Sequence, residues 1–509
     1  MWSSRLIAAL NSPTGKPRIT LNRLGWSNTP GQNTATARST WNTAGVIGIS
    51  PSAGFSVASQ SIGVPDWTSN RGTLRIGFGG LEHARWASSE VPRGAIARVA
   101  LQYPGMTFPE DVWVGRITAH DGIGPQLILS GWDILAAASS RAAFIGAGES
   151  ELFYHCDPDS SHTLQLAHTF SAGTHTTLQF ASAPQHEKET GQPGAVLVTP
   201  TSGADPFIVT WTGKSGNDLT GVSTSGVFGT TAVNAAAGST VQEVCWIDDT
   251  PVRAAAKILA STGAGTNGAY DTLPFSWGYG FDASLIDVAG IVDAGAAMAP
   301  ASGTHEVLTV STTRQPQGFA WLTGVLQSYA CWLTMRQGQI TARAAVDRWA
   351  AVPPAVMSLG ADSILRAVPV RSIYDPSSSV EYGRVRAVYG AGTTISGGAT
   401  LPATRPAAID YDTDYGYQLY QNQVAIADKL NERIGGWQKR IPSVVDVQTT
   451  LSAAQLCPGD WIVLAHRGIW TVSNPTGGPV YAMVGSISTD WGAGVVSLRL
   501  YIQHRQEDA

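Results

Sequence analysis

Apolar and polar residues alternate along short segments over much of the chain. The clearest case is Val495–Ile502, where Val496, Leu498, Leu500 and Ile502 alternate with polar or amphipathic residues. A period of two is typical of β-strands that bury one face. The pattern therefore predicts a mainly β protein.

Other segments with the same character predict further strands. They are Thr73–Phe78, Ile96–Leu101, Val112–Ile117, Gln126–Leu135, Phe207–Trp211, Cys331–Met335, Gln339–Arg343 and Glu381–Tyr389. Glycine and proline mark the turns between them, as in Asp121–Pro125 and Arg336–Gly338. We also predict a turn formed by Gly213, Ser215, Gly216 and Asn217, followed by a return strand at Leu219–Val222.

Helical spacing is found in only a few places. Thr250 and Pro251 predict a helix start, with Gly263 placed to end that helix. Asp282 is predicted to cap a second helix, and the spacing of apolar residues predicts a third over Tyr420–Ile434. The apolar face of the first helix consists of Val252, Ala255, Ala256 and Leu259, and that of the second consists of Leu285, Ile286, Ala289 and Val292.

Composition agrees with many short strands joined by turns. The 509 residues include 56 glycines and 28 prolines, and only 14% are charged. A chain of this length is too long to fold around one hydrophobic core, so several domains are expected. Many short strands predict that these domains are β-sandwiches or β-barrels.

Net charge excludes some functions. At −5 and without any block of basic residues, the chain lacks the electrostatic footprint of a protein that binds nucleic acid or an anionic membrane.

The first residues, MWSSRLIAALNSP, contain an apolar run too short for a signal peptide or a membrane span. We therefore expect the protein to be made and folded in a cytoplasm.

Cysteine and histidine spacing predicts no metal or redox site. Cys156, Cys245, Cys331 and Cys457 are far apart in the sequence, which favours isolated buried thiols over a zinc site. Five histidines fall within 155–186, but their spacing does not form a ligand set. The alternating carboxylates of loop 410–416 could gather calcium, although a solvated acidic loop is the simpler reading.

No motif predicts catalysis or a cofactor. The glycines of 263–268 match G-x-G-x-x-G but follow a helix rather than a strand, which argues against a dinucleotide site. The carboxylate pairs Glu110–Asp111 and Glu187/Glu189 are of a kind that glycosidases use, yet adjacent acids in polar loops are usually only solvated. We therefore predict a protein that is not an enzyme, with no catalytic, cofactor or metal residues.

The 17 tryptophans leave two readings open. Exposed indoles would stack on sugars, whereas Trp113 and Trp461 lie inside alternating strand patterns and read as core anchors. The core reading is the simpler one.

Four segments, in order along the chain, resemble tail proteins of long-tailed bacteriophages. Phe207–Val241 resembles a recurring tail module with the run TGKSGN, LTGV and a Gly-Thr-Thr-Ala step. Gly263–Asp282 resembles a block of siphophage tail hub proteins, and 456–464 (LCPGDWIVL) resembles their late P-G-D-x-V-x-L strand. The fourth match, to the first hub barrel, rests on Trp113, Gly115, Ile117, Leu127, Leu129, Gly131 and Asp133. A hairpin typical of hubs is matched less well, because Ile340 replaces a leucine.

The resemblance implies a fold of two hub-type β-barrels plus an inserted small β-domain and a few short helices. The implied domains are a first barrel (1–150), the inserted β-domain (151–248), a helical and loop connecting domain (249–320), and a second barrel with the C-terminal hub strands (321–509).

It also implies a structural role in the virion, at the tail tip or baseplate. A hub subunit closes the tail tube and links the distal tail ring to the central fibre or spike. The implied partners are the distal tail protein, the fibre or spike, the tape measure protein and further copies of the chain, in a trimer. The inserted domain is the best candidate for contacting a neighbouring tail protein or a host glycan.

Three alternatives remain at this point. A distal tail ring protein belongs to the same class, but such proteins are usually shorter and lack the Gly263–Asp282 block. A carbohydrate-binding or glycan-cleaving protein is suggested by the tryptophan count. A cytoplasmic redox or nucleotide enzyme is opposed by the absence of a convincing motif.

Overall fold

The computed structural model describes the chain in separate ranges. They are residues 2–11, 18–25, 34–42, 56–58, 73–79, 96–123, 126–135, 163–186, 188, 191–227, 230–244, 251–261, 268–270, 272, 279–298, 307–309, 326, 331–344, 346, 354–367, 371–372, 384–389, 393–396, 408–412, 418–420, 443–466 and 478–502. These residues are mainly β, as the alternation predicted.

The first fourteen strands lie in the N-terminal half of the chain. They are β1 (Arg18–Gly25), β2 (Thr34–Asn42), β3 (Ser56–Ala58), β4 (Thr73–Gly79), β5 (Ile96–Gln102), β6 (Glu110–Ile123), β7 (Gln126–Asp133), β8 (Thr163–Gln165), β9 (Thr177–Gln179), β10 (Gly194–Thr199), β11 (Phe207–Trp211), β12 (Gly213–Ser215), β13 (Asp218–Thr220) and β14 (Thr240–Val244).

The remaining strands lie in the C-terminal half. They are β15 (Val307–Thr309), β16 (Cys331–Arg336), β17 (Gln339–Ala344), β18 (Met357–Gly360), β19 (Ile364–Ala367), β20 (Arg371–Ser372), β21 (Arg384–Tyr389), β22 (Thr393–Ser396), β23 (Ala408–Asp412), β24 (Gln418–Tyr420), β25 (Ser443–Thr450), β26 (Trp461–His466), β27 (Gly478–Asp490) and β28 (Val495–Ile502). The α-helices of the described ranges are α1 (Ser4–Asn11), α2 (Pro251–Ala260) and α3 (Val288–Met298), and 3₁₀ turns span Ala283–Leu285 and Leu451–Gln455.

One curled sheet of fourteen strands contains strands from both ends of the chain. Its order is β19-β25-β28-β27-β3-β4-β7-β6-β5-β1-β2, and β18, β20 and β26 pair beside this path. The antiparallel pairing of β27 with β3 joins the two halves. The sheet curls as a half-barrel, and the division into two hub barrels remains a prediction.

The main core lies under this sheet and confirms the alternation of β28. Val496, Leu498, Leu500 and Ile502 are buried there, while Ser497 and Arg499 on the same strand are exposed. The alternation ends at Leu500, because Tyr501 is buried as well. Leu6 and Leu10 of α1 close one side of this core. Burying apolar side chains at each second position of several strands is what holds such a sheet together.

The region between β8 and β14 has its own core. Two small sheets, β11-β10-β14-β8 and β12-β13-β9, enclose a cluster that contains Phe170, Phe207 and Trp211. The rings of Phe170 and Phe207 stack with centroids 5.9 Å apart. All members of this cluster fall between residues 164 and 241. The predicted boundaries of the inserted domain remain a prediction.

The turn predicted around Gly213 is narrower than expected. Gly213 and Ser215 belong to strand β12, and only Gly216 and Asn217 reverse the chain. Gly216 has a φ of +57°, a left-handed conformation that glycine adopts without strain and that a two-residue hairpin turn needs. The return strand β13 therefore starts at Asp218 and pairs with β12 and β9.

The hairpin of β16 and β17 is confirmed with a two-residue turn. Gln337 and Gly338 have φ values of +52° and +77°, and Arg336 belongs to the strand. Both central residues of a type I′ turn require positive φ. A non-glycine residue in this conformation is uncommon, and the two-residue turn requires it at Gln337.

Helix α2 matches its predicted start, and the residues of its predicted apolar face, Val252, Ala255, Ala256 and Leu259, are all buried. Its predicted end at Gly263 lies outside the described residues. The start predicted for the third helix, Tyr420–Ile434, is wrong, because Tyr420 is the last residue of strand β24. Residues 421–434 lie outside the described ranges.

The second predicted helix is divided in two. The Asp282 carboxylate caps only the 3₁₀ turn, accepting a hydrogen bond from the Ser284 N–H at 2.8 Å. Ile286 is extended and bridges to Ile340 of β17, and α3 starts two residues later. Backbone pairing with a strand removes Ile286 from the helix, and Val292, predicted on the apolar face, is 36% exposed. No helix in the described ranges is long and apolar enough to cross a membrane.

Candidate functional site: two buried joints between distant segments

The most constrained polar residues lie where segments distant in sequence meet. We call one group, formed by Asp287, Thr341, Arg343, Cys457 and Asp460, the polar joint. It connects the start of α3, the β16–β17 hairpin and the turn before β26. Thr341, Arg343, Cys457 and Asp460 belong to segments that the sequence resemblance included, whereas Asp287 lies outside them. The contacts among the five residues were not predicted.

A buried ion pair lies at the centre of the polar joint. Arg343 donates to Asp460 Oδ1 from Nη2 at 3.0 Å and from Nε at 3.2 Å, and the Asp460 side chain is 2% exposed. The other oxygen, Oδ2, accepts the Cys457 N–H at 2.9 Å. The buried carboxylate is thus paired and hydrogen-bonded at both oxygens, as a buried charge requires.

The local electrostatics favour the charged form of Arg343 and the neutral form of the neighbouring Cys457 thiol. Burial opposes the charge of Arg343, yet its acidic neighbours raise its pKa above the usual value overall. Burial, reinforced by Asp460, raises the pKa of Cys457 far above its usual range. A neutral buried thiol is a poor nucleophile. The arrangement therefore supports structure rather than covalent chemistry.

Gly459 allows the turn to lie directly on the hairpin. Its φ is +96°, and a Cβ there would lie 2.8 Å from Cζ2 of Trp332 and 2.9 Å from Cβ of Arg343. Both the backbone conformation and the close approach demand glycine. The P-G-D sequence signalled a turn, but the hairpin beneath it could not be identified from that signal.

The joint extends to helix α3 through Asp287. Thr341 Oγ1 donates to Asp287 Oδ2 at 3.1 Å, and the Asp287 N–H donates to the Ile340 carbonyl at 2.8 Å. Asp287 Oδ1 accepts the Gly290 N–H at 3.1 Å, as a helix N-cap does. One carboxylate thus starts the helix and fixes it to β17.

We call the second group, formed by Trp2, Ser3, Glu110, Asp111 and Gln337, the N-terminal joint. The Trp2 indole donates to the Asp111 carbonyl at 2.6 Å, and the Trp2 N–H donates to Gln337 Oε1 at 2.6 Å. The Ser3 N–H donates to Glu110 Oε2 at 2.6 Å, and the Ser3 hydroxyl donates to the other Glu110 oxygen. These contacts tie the N-terminus to the start of β6 and to the turn at Gln337.

These contacts change the reading of Glu110 and Asp111 as a carboxylate pair. Glu110 is engaged by Ser3, and Asp111 forms an ion pair with Arg98 at 3.1 Å. Burial raises the pKa of Asp111, and Arg98 partly offsets that effect. The two carboxylates thus serve the joint. Glu187 and Glu189, the other predicted pair, lie outside the described residues.

The strand motif of the first predicted barrel is a packing motif. Gly115 on β6 and Gly131 on β7 leave room for the ring of Trp113, which a Cβ at either position would meet. The two strands pair antiparallel, with Ile117 opposite Gly131. Trp113 and Ile117 are buried in the main core.

The described tryptophans and cysteines agree with the predictions of core indoles and buried thiols. Among the side chains that the structure describes, Trp132 is half-buried and the other tryptophans are buried: Trp2, Trp113, Trp211, Trp332, Trp461 and Trp491. Trp113 and Trp461 are core anchors. Cys331 and Cys457 are buried thiols that form no disulfide, and Cys156 and Cys245 lie outside the described ranges. A cavity of about 40 Å³ lies between Trp2 and Trp491, a size that suits water rather than an organic cofactor.

Histidines and the acidic loop form no centre in the part of the chain that the structure describes. His168 and His175 are exposed, and His186 is buried against Phe180 with ring centroids 6.0 Å apart. No group of three or more His, Cys, Asp or Glu among the described residues is placed to hold a metal ion. Asp410 and Asp412 lie on β23, but the side chains of loop 410–416 are outside the described set.

Comparison with protein-family models and with curated proteins found no match. Solved structures did match. A tail protein from Neisseria meningitidis aligns over 96% of this chain and 97% of its own, with 11% identity and a TM-score of 0.42. A 43 kDa tail protein of prophage MuSo2 from Shewanella oneidensis aligns over 97% and 98%, with 10% identity and a TM-score of 0.38.

Prophage tail protein gp18 from Listeria monocytogenes aligns over 95% of this chain and 94% of its own, with 7% identity and a TM-score of 0.37. TM-scores this low do not by themselves argue for a shared function. The chain is thus similar, over nearly its whole length and at low identity, to solved proteins described as tail proteins, two of them from prophages.

Proposed function

We propose that this protein is a structural subunit of a bacteriophage tail, and more specifically the hub at the tail tip or baseplate. The observation that carries the proposal is the order of the hub-like segments along the chain. Two of them, the strand pair around Trp113 and the turn at Gly459, are also tightly packed in the structure. Nothing in the chemistry of the described residues calls for catalysis.

A hub acts mechanically, and the two joints suit that task. Several copies, three in our proposal, form a closed ring at the end of the tail tube and transmit receptor engagement upward. Such a subunit has to move as one body. The polar joint and the N-terminal joint tie segments that lie 117 and 335 residues apart, as in the Arg343–Asp460 and Trp2–Gln337 contacts.

In this proposal the ring lies between the distal tail protein and the central fibre or spike, with the tape measure protein above. The region from β8 to β14 is proposed to contact a neighbouring tail protein or a host glycan. Its turn at 201–206 is exposed and glycine- and proline-containing, as is usual for loops that bind partners.

Gold labelling of the protein on virions tests the location. Particles from a lysate of the strain that carries the gene would be labelled with antibody against this chain and viewed by electron microscopy. We expect label only at the tail tip. Label along the tube, or none on any virion, would contradict the hub proposal, and antibody against a capsid protein serves as the control.

The mass of the purified protein separates the hub from a distal tail ring protein. Sedimentation equilibrium on the full chain is expected to give three copies per particle. Six copies would favour the distal ring. A monomer that binds a glycan array and never associates with a tail would favour the carbohydrate-binding alternative.

A further inference from the structure

Four polar side chains form a row across the outer face of the C-terminal strands. Arg366 of β19 is opposite Gln448 of β25, Gln448 is opposite Ser497 of β28, and Ser497 is opposite Ser488 of β27. We call this row the polar ladder. Residues opposite each other on neighbouring strands have Cβ atoms about 5 Å apart, so the four side chains follow one line across the sheet.

The polar ladder lies in a depression of about 420 Å³. A second row of outward side chains, Asp446, Arg499 and Ser486, forms its other wall. The volume lies within the range of small-molecule sites and would hold a few sugar rings.

The ladder side chains are not used by the fold. Within the described part of the chain, Arg366, Gln448, Ser488 and Ser497 make no side-chain hydrogen bond or ion pair, and all four are exposed. Arg499, in contrast, donates to Asp446 from Nε at 2.9 Å and from Nη2 at 3.3 Å. That pair neutralises itself, so Arg366 supplies the net positive charge of the depression.

The surface lacks the features of a protein–protein interface core. Such cores are rich in aromatic and other apolar anchors that become desolvated. The apolar residues that line the depression, Val447, Ile487 and Leu498, face the main core and are buried. What the depression offers is a guanidinium, an amide and hydroxyl groups.

We propose that the polar ladder binds a short acidic oligosaccharide. The Arg366 guanidinium matches a carboxylate through two parallel hydrogen bonds. Gln448, Ser497 and Ser488 both donate and accept, which suits the hydroxyl groups of successive sugar rings. This site is distant in sequence from the region between β8 and β14 and does not depend on the proposed hub function.

Binding of tri-galacturonate to the full-length protein tests the site, measured by saturation-transfer NMR and titration calorimetry. Maltotriose, which has the same number of rings but no carboxylate, is the control ligand. We expect tri-galacturonate to bind and maltotriose to bind at least about tenfold more weakly, because a charged hydrogen bond contributes that much. Equal binding of both sugars, or no binding of tri-galacturonate, would overturn the proposal.

Three variants locate the binding. Arg366→Gln is expected to weaken tri-galacturonate binding about tenfold, and Ser497→Val severalfold. Both positions are exposed, so the fold should persist. Arg253→Gln, an exposed arginine on α2, is the matched control and should leave binding unchanged. If inorganic phosphate competes as well as tri-galacturonate, or if Arg366→Gln changes only the oligomer mass, the saccharide proposal is wrong.

Discussion

At Asp460 a single carboxylate holds together two segments that are 117 residues apart. It accepts two hydrogen bonds from Arg343 and one from the Cys457 N–H, all in a nearly dry environment. A buried pair of this kind adds little net stability over an apolar pair, but removing one partner leaves the other charge uncompensated. The cost of losing Asp460 should therefore be large.

We expect Asp460→Ala to lower the free energy of unfolding by about 3–5 kcal/mol, because it strands the Arg343 charge. Asp446→Ala, which breaks the exposed Arg499 pair, is the matched control and should cost no more than about 1 kcal/mol. Urea titrations of both variants measure the difference. Equal losses would show that the Asp460 pair is not effectively buried.

At Gly115 the constraint is steric, because neighbouring atoms leave no room for a side chain. We expect Gly115→Ala to lower the free energy of unfolding by about 1–3 kcal/mol, since its Cβ would meet the Trp132 carbonyl and the Trp113 ring. Gly360→Ala is the control, because a Cβ there has open space. Thermal melts that shift equally for the two variants would contradict the packing seen around Trp113.

Tyr103 gives a prediction for alkaline pH. Burial raises its pKa from 10.0 to about 12. Because the folded pKa is the higher one, the stabilisation is complete below pH 10 and is lost as the pH rises through about 12. When the ultraviolet absorbance of tyrosinate is followed with rising pH, the ionisation of Tyr103 should appear near pH 12. The variant Tyr103→Phe should lack that step. An unchanged titration curve in the variant would refute this assignment, and the buried Tyr279 and Tyr501 are expected to keep late steps of their own.

At the scale of elements, helix α1 shows how a marginal segment is kept in place. Eight residues are too few for a stable isolated helix, so its order comes from packing. Leu6 and Leu10 lie in the main core, and Trp2 makes an edge contact with Trp491 at a centroid distance of 6.4 Å. The element is held by its partners rather than by its own propensity.

We expect Trp2→Ala to cost about 3–5 kcal/mol, the usual range for a buried large aromatic residue. Hydrogen exchange should rise in α1, at the start of β6 and at the Gln337 turn, since Trp2 contacts all three regions. Arg5→Ala, which alters an exposed side chain of the same helix, should change stability by less than about 0.5 kcal/mol. If hydrogen exchange in Trp2→Ala became faster only in α1, the N-terminal joint would not couple α1 to β6 and to the Gln337 turn.

At the scale of the whole molecule, the region between β8 and β14 differs from the rest. Its core cluster contains only its own residues, whereas the main core draws on both ends of the chain. A region with a core of its own can fold alone.

We expect the fragment 151–248 to fold by itself and to unfold cooperatively on heating, as followed by circular dichroism and amide NMR dispersion. Val209→Asp is the control, because it places a charge in the centre of the cluster and should abolish the transition. A fragment that melts without cooperativity would show that this region needs the large sheet.

The sequence by itself predicted several of the strands and, for β28, which face is buried. It placed the turn after β6 too early, because Asp121 to Ile123 still belong to that strand. The period of two predicted β28 with its observed bounds, and Thr250 with Pro251 placed the start of α2. These signals are local, because a strand face and a helix cap depend on residues only a few positions apart. The expectation of core tryptophans also held for Trp113 and Trp461.

Only the tertiary structure decided which distant elements meet. The pairing of β27 with β3, the Arg343–Asp460 contact and the bridge of Ile286 to Ile340 each join residues far apart in sequence. Any arginine could pair with any carboxylate, and any strand edge accepts another strand, so no local pattern specifies the partner. Packing between elements selects the partner. Backbone pairing of Ile286 with Ile340 interrupted the predicted helix, and the polar ladder is exposed on the outer face.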